Sequence, residues 1–389
     1  MASIPLTRKT LLRMRLDKEA PLRTYTILHT ESSLGWGGQE RRIMAEALAM
    51  RERGHRLLLA CDPQGELFPR GQRAGFLVVP LTFGGWSNLH AGLALRRLVR
   101  QEGVDILNTH SSLDSWVGML ALTGLSKPLL VRTRHLSTPV KSSWPTRWLY
   151  QTPKATITTS QGIKELLQER VGVEPARVFA IPTGVSLTDF APRGADASLM
   201  ERLKIPTTSF VWGMVSVLRS WKGHLYALEA LKELVDAGVQ THLLIVGEGP
   251  YRSLIEPRIK ELGLETQVRL VGYQEDVAPW LALMQVVVMA SYAHEGVPQA
   301  ALQALALAKP VVGTTTGGIP EVVIPGETGL LVPPKNPQAL ARALRELWEH
   351  PELGEGMGRR GRELVIGKYS LEQMAAAVEG VYDLISGQS

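Results

Sequence analysis

The chain has 389 residues, a net charge of +6 and one cysteine, Cys61. That length accommodates two domains with separate cores, the lone thiol excludes an internal disulfide or a thiolate metal cluster, and the lack of an apolar run of about 18 residues excludes a membrane-spanning helix. The cationic surplus is too small to indicate a nucleic-acid partner and fits an acidic small molecule or an anionic membrane surface.

Residues 1–23, "MASIPLTRKTLLRMRLDKEAPLR", are basic without the apolar core of a signal peptide. They read as a solvated leader, with a short amphipathic surface helix as the alternative. From Thr24 short apolar runs alternate with helical patterns: "YTILHT", "RLLLACD", "GFLVVPL", "VDILNTH", "PLLVRTRH", "ATITTS" and "VFAIPTGV". They show little in–out alternation, as expected of parallel strands covered by helices on both faces. Cys61 ends one such run as a core residue, which points to a reducing, cytoplasmic compartment. The alternation spans 24–192 and pauses in a linker, 193–208. It resumes over 209–368 with "SFVWGMVSVL", "THLLIVGEG", "VRLVGY", "QVVVMAS", "PVVGTTT" and "GLLVPP". A last amphipathic pattern, "SLEQMAAAVEGVYDLI" within 369–389, has no strand after it. The expected fold is α/β: two doubly wound, Rossmann-like domains facing each other across a cleft.

In open parallel sheets ligands sit beyond the carboxyl ends of the strands, and the residues able to do chemistry cluster there. Gly37 and Gly38 follow the first strand in "SLGWGGQE", with the wrong spacing for a dinucleotide fingerprint but with room for close backbone approach. His110 and His135 close two neighbouring strands and are the titratable candidates of the first half. Arg219 and Lys222 in "VSVLRSWKGH" precede a helix, where two cations and the helix dipole attract a diphosphate; a solvated basic turn is the plain alternative. Glu295 opens another helix, either holding sugar hydroxyls or serving as a cap. Gln303 lies eight positions on, about 80° out of phase, so both can face one cleft. No HExxH, Cys/His ligand spacing or Asp-x-Asp at a strand end is present, which disfavours a metal.

The ordered set "SLGWGGQE", "NTHSSLDSWVG", "VRTRH", "IPTGVSLTDF", "VSVLRSWKG", "LLIVGEGP", "VRLVGY", "SYAHEGVPQAALQALALAKPVVGTTTGGIPEVV" and "GLLVPP" resembles the family 4 glycosyltransferases of GT-B fold over nearly the whole chain. The resemblance implies metal-independent, cofactor-free transfer of a sugar from a nucleotide diphosphate donor to an acceptor hydroxyl, with retention. It further implies that Arg219 and Lys222 neutralise the diphosphate and that Glu295 holds a donor-sugar hydroxyl beside the backbone of Gly296, Val297 and Pro298. Gln303 would meet the ribose, Tyr273 would lie by the base, and Gly37 and Gly38 would approach the diphosphate from the other domain. His135 would stand near the transferred sugar, His110 on the acceptor side, and the final helix would cross back onto the first domain. The family's second Glu is Gln303 here, "PNGVD" is replaced by "PTGVS" with Thr183 and Ser186, and the arginine stands two places closer to the lysine. Beside the leader, "VKSSWPTRWLY", with Trp144, Arg147 and Trp148, fits a membrane interface and hence a glycan or lipid-linked acceptor of the cell envelope; a core role for both tryptophans is the alternative. A sugar-nucleotide epimerase and a noncatalytic nucleotide-sugar-binding subunit are the competing functions.

Overall fold

The runs without alternation are buried on both faces. In the computed structural model, which describes residues 23–85, 87–135, 138–293 and 295–387, they form two parallel sheets. The first has seven strands, β1 (Thr26–Glu31), β2 (Arg56–Cys61), β3 (Leu77–Pro80), β4 (Ile106–Thr109), β5 (Leu129–Arg134), β6 (Ala155–Thr158) and β7 (Val178–Ala180), in the order β3-β2-β1-β4-β5-β6-β7. The second has six, β8 (Phe210–Val215), β9 (Thr241–Val246), β10 (Val268–Gly272), β11 (Val286–Met289), β12 (Val311–Thr314) and β13 (Gly329–Val332), in the order β10-β9-β8-β11-β12-β13. Strand order reverses between β1 and β4 and again between β8 and β11. Such reversals open a crevice at the carboxyl edge of a parallel sheet. The architecture is the expected pair of Rossmann-like domains. The basic leader, save Arg23, lies outside the described residues.

Each sheet is packed on both sides, because a strand such as β9, with all six residues buried, has no face to give to water. Trp212, Leu231 and Ile245 belong to the core on one side of the second sheet, and Met284, Val287 and Leu305 to the core on the other. The helix Leu371–Ile385 returns to the first domain, where Met374, Val378 and Tyr382 share a core with Ile43, Ala47 and Met50 of the helix Gly38–Glu52.

The chain enters the second domain earlier than the pause in the sequence suggests. Val185 already belongs to the second domain's core, and a helix, Ala197–Arg202, buries Leu199 and Met200 there. Residues 193–208 are therefore part of that domain and not a bare linker. The outgoing and returning crossings pair with each other: Val185 N donates to Tyr369 O at 2.8 Å and Leu371 N to Val185 O at 3.1 Å. Side-chain bonds also span the domains. Arg41 Nη2 donates to Tyr273 Oη at 3.1 Å, Arg70 Nη1 to Glu275 Oε1 at 2.9 Å, and Glu321 accepts from Gln161 N at 3.1 Å. The two carboxyl edges thus face each other across a closed-in cleft.

Candidate active site

A cavity of about 370 Å³ lies between the two edges. Its lining includes Gly38, Gln39, His135 and Thr159 from the first domain and Lys222, Ser291, Glu295, Gly296, Val297 and Pro298 from the second.

Two glycine positions bring its charged groups together. Lys222 ends the short 3₁₀ turn Ser220–Lys222, and Gly223 then adopts φ +79°, where a Cβ would stand 2.0 Å from Ala290 O. Only glycine lets that turn lie against the end of β11. Gly317, at φ +54°, approaches the Glu295 backbone as closely: a Cβ there would be 2.2 Å from Glu295 O. The next residue, Gly318, donates its N–H to that same oxygen at 3.2 Å. Fixed by these contacts, Lys222 Nζ is ion-paired with Glu295 Oε1, which also accepts from Ser291 Oγ at 2.6 Å. Glu295 is 8% exposed. An ammonium has three N–H groups and a carboxylate two oxygens, so Lys222 retains donors, and Glu295 retains Oε2, for a ligand.

Three helices begin at this cavity. Gly38 and Gln39 start the helix Gly38–Glu52, Pro298 caps Gln299–Ala306, and Lys222–Gly223 lead into His224–Asp236. Each contributes the positive end of its dipole and unpaired first-turn N–H groups. With Lys222 they make the cavity suited to an anion such as a diphosphate. Burial, with the neighbouring cation Lys222 adding to it, lowers the His224 pKa to about 4, so that ring stays neutral beside Lys222.

Of the residues picked from sequence, Lys222, Glu295, His135, Gly38, Gly296, Val297 and Pro298 meet at the cavity. The others stand elsewhere. Arg219 is exposed, its guanidinium 5.3 Å from the Trp221 ring centroid, and it does not line the cavity. Gly37 caps its helix, and its N–H is taken by Glu40 Oε2 at 2.7 Å. Tyr273 is half exposed; its hydroxyl accepts from Arg41 and donates to Glu275 Oε2 at 2.5 Å, a cross-domain contact outside the cavity lining. Gln303 is half-buried one turn beyond Gln299. His110 is 3% exposed, and its ring lies between those of His29 and His135 rather than on an open acceptor surface.

Sequence reasoning passed over Gln39, Thr159 and Ser291. The strand-end rule would have reached Thr159, the residue just past β6, and Ser291, two past β11. Gln39 carries a different signal: its Nε2 bonds Glu31, a carboxyl buried at the end of β1. Burial and the nearby Asp114 carboxyl push the Glu31 pKa up to about 8.

The family model described as glycosyl transferases group 1 matches residues 196–364, and that of glycosyltransferase family 4 matches 36–189. The chain is 34% identical to an N-acetyl-alpha-D-glucosaminyl L-malate synthase of Bacillus anthracis over 43% of its length and 44% of the relative's. Over 75% of its length and 78% of the relative's it is 25% identical to UDP-Gal:alpha-D-GlcNAc-diphosphoundecaprenol alpha-1,3-galactosyltransferase of Escherichia coli. Anabaena HepE, solved in complex with UDP, superposes with a TM-score of 0.80 at 20% identity, over 92% of this chain and all of that one. The first of these relatives is matched over less than half its own length, and HepE shares the fold. Both halves carry glycosyltransferase models on two facing parallel-sheet domains, and the chain belongs to the family 4 glycosyltransferases of GT-B fold.

Proposed function

We propose that the protein transfers a sugar from a nucleotide diphosphate donor to an acceptor hydroxyl, with retention of anomeric configuration and without a metal, in the synthesis of a cell-envelope glycan. The observation that carries this reading is the meeting of Lys222, Glu295 and three helix N-termini in one interdomain cavity. The diphosphate lies against Lys222 and the helix ends. Glu295 Oε2 accepts from a hydroxyl of the donor sugar, while Ser291 and Lys222 hold Oε1. As the bond to the anomeric carbon breaks, negative charge grows on the departing phosphate and Lys222 stabilises it. The acceptor oxygen enters on the same face and its proton passes to the phosphate oxygen, so that charge and atoms balance without a protein nucleophile. HepE, solved with UDP, and the galactosyltransferase named for a UDP-sugar make UDP-sugars the first donors to try. The test is release of nucleoside diphosphate from a donor panel, with and without acceptor, before and after chelation. Acceptor-dependent release that survives EDTA supports the reading; activity that EDTA abolishes and Mn²⁺ or Mg²⁺ restores contradicts its metal-free part.

The acceptor is proposed to be lipid-linked and met at an anionic membrane. Among the described residues no helix is long and apolar enough to cross a bilayer. Trp144 and Trp148, 74% and 47% exposed, stack at 5.9 Å, and Trp148 meets Trp116 at 5.3 Å. Trp116 and Trp148 line an apolar groove of about 530 Å³ together with the exposed Leu120. Lys127, Lys141, Arg147 and Lys154 are exposed in a stretch, 115–164, that contains no acidic residue. Aromatic rings with cations and no acids suit the headgroup region of an anionic leaflet. The full chain should sediment with phosphatidylglycerol vesicles at low salt, and Trp144→Ser with Trp148→Ser should release it. Equal recovery in the supernatant with and without vesicles would sink this part.

A further inference from the structure

Three histidines run from the core of the first domain to the cavity. β1, β4 and β5 are neighbours; His29 pairs in register with Asn108, and Asn108 with Val131. His110 stands two residues past Asn108, and His135 four past Val131, so each step across the sheet moves the imidazole two residues toward the carboxyl edge. Side chains two apart share a face, and the rings therefore form a diagonal file. His29 Nδ1 and His110 Nε2 are 2.9 Å apart, as are His110 Nδ1 and His135 Nε2, and successive rings, inclined by 23° and 28° with centroids 5.2 Å apart, meet edge to edge as in-plane hydrogen bonds require.

A neutral imidazole carries one N–H and one bare nitrogen. Burial holds all three rings below the ordinary histidine range, so each carries one ring proton at neutral pH. Two hydrogen bonds in series then leave two polarities for the whole file, set by whichever end is decided. The core end is decided by His29 Nε2, which is buried without a hydrogen-bond partner among the described residues. Orphaned buried N–H groups are rarer than under-satisfied acceptors, which favours a bare nitrogen there. The charged neighbours point the same way. Arg42, near enough to act on the ring, has its own buried Nη2 unpartnered and offers only N–H. Glu46, the nearby acid, has both oxygens engaged, Oε2 by Arg42 Nε at 2.9 Å and Oε1 by Asn108 Nδ2 at 3.4 Å.

We propose that His29 and His110 are positioning residues that fix the tautomer of His135, so that His135 meets the cavity with Nδ1–H, as a hydrogen-bond donor and not as a base. The protons run from His29 Nδ1 to His110 Nε2 and from His110 Nδ1 to His135 Nε2. That leaves Nδ1 as the one ring nitrogen of His135 for a ligand. A neutral N–H there can donate to a sugar hydroxyl or a phosphate oxygen and cannot take a proton from the acceptor. This bearing on transfer rests on the function proposed above; the tautomer itself does not.

The test is ¹⁵N spectroscopy of the full chain labelled at histidine, with no donor or acceptor present, so that its outcome is independent of the transferase reading. The His135 signals are assigned by their loss in His135→Gln. The expected result is a protonated, pyrrole-type Nδ1 and a bare, pyridine-type Nε2 at His135; the reverse assignment overturns the proposal. In His29→Leu the bias should disappear and kcat/KM should fall about tenfold, equivalent to about 1.4 kcal/mol. His29→Asn, which keeps an N–H near the Nδ1 position, should restore both. An unchanged His135 spectrum in a folded His29→Leu variant also overturns it. Should that variant fail to fold, the wild-type spectrum decides.

Discussion

Replacing Lys222 by alanine separates what this lysine does for the fold from what it does for the reaction. In the resting protein its ammonium is paired with Glu295, and the two side chains are 23% and 8% exposed. Breaking an ion pair costs about 3–5 kcal/mol when it is buried and roughly 0.2–1 kcal/mol at the surface. A pair between these limits, whose carboxylate keeps its bond from Ser291, should lose about 1–2 kcal/mol. With two domains of ordinary size that is a fall in Tm of about 3–6 °C. The catalytic loss is larger. A charge-stabilising group at the departing phosphate is worth roughly 2.7–4 kcal/mol, so kcat/KM should fall about a hundredfold to a thousandfold. Nucleoside diphosphate release, measured well below the variant's Tm with circular dichroism confirming the fold, reads the second effect free of the first. Lys222→Arg keeps the charge and should recover part of the activity. A folded Lys222→Ala enzyme within threefold of wild-type kcat/KM would refute the placing of the diphosphate at Lys222.

The resemblance puts Gln303 at the ribose, although the side chain is not part of the cavity lining; on that placement Gln303→Ala should raise the donor KM with kcat within a few-fold, as for any contact shared by ground and transition states, and Gln303→Glu should hold or lower that KM, whereas an unchanged KM, or loss of kcat with unchanged product binding, would take Gln303 away from the ribose. Glu31 has a folded pKa of about 8, above its unfolded value, so its contribution to stability is full below the unfolded pKa and is lost as pH rises through about 8. Thermal melts should show wild type weakening from about pH 5 to about pH 8, between the unfolded and folded values, and Glu31→Gln flattening that slope; equal slopes would show that Glu31 does not titrate there. Glu379 clamps the final helix to the first domain through Arg53 and through His55 Nε2 at 3.0 Å. Glu379→Ala should therefore cost about 2–3 kcal/mol in urea unfolding, as expected for one partner removed from a largely buried pair; a loss under about 0.5 kcal/mol would mean the clamp does not hold the helix.

The two sheets were legible because parallel strands buried on both faces leave unbroken apolar runs, such as "THLLIV" at β9. The cavity loops were legible because a parallel sheet gathers its strand ends along one edge, which is how Lys222, Glu295 and His135 came to be singled out. Where the chain changes domain was not, since "IPTGVSLTDF" has no composition that separates Val185, in the second domain's core, from the strand before it. Nor was the placing of Arg219 and Tyr273: a basic or aromatic residue near a site reads the same in sequence whether it lines the cavity or, like Tyr273, bridges the domains to Arg41. His29 was hidden for a third reason. It sits inside an apolar strand, and its partnership with His110 depends on β1 lying beside β4, an adjacency that follows from strand order and not from local sequence.

Calorimetric titration of the full chain with UDP, UDP-sugars and other nucleotide sugars, in wild type and in Lys222→Ala, tests the proposed donor site most directly. Wild type should bind one nucleotide sugar and its nucleoside diphosphate saturably. Lys222→Ala should lose at least about tenfold in both affinities, from a charge-assisted bond worth roughly 1.5–3 kcal/mol. No binding by any nucleotide sugar or nucleoside diphosphate in the panel, or binding that Lys222→Ala leaves unchanged, would contradict that donor site.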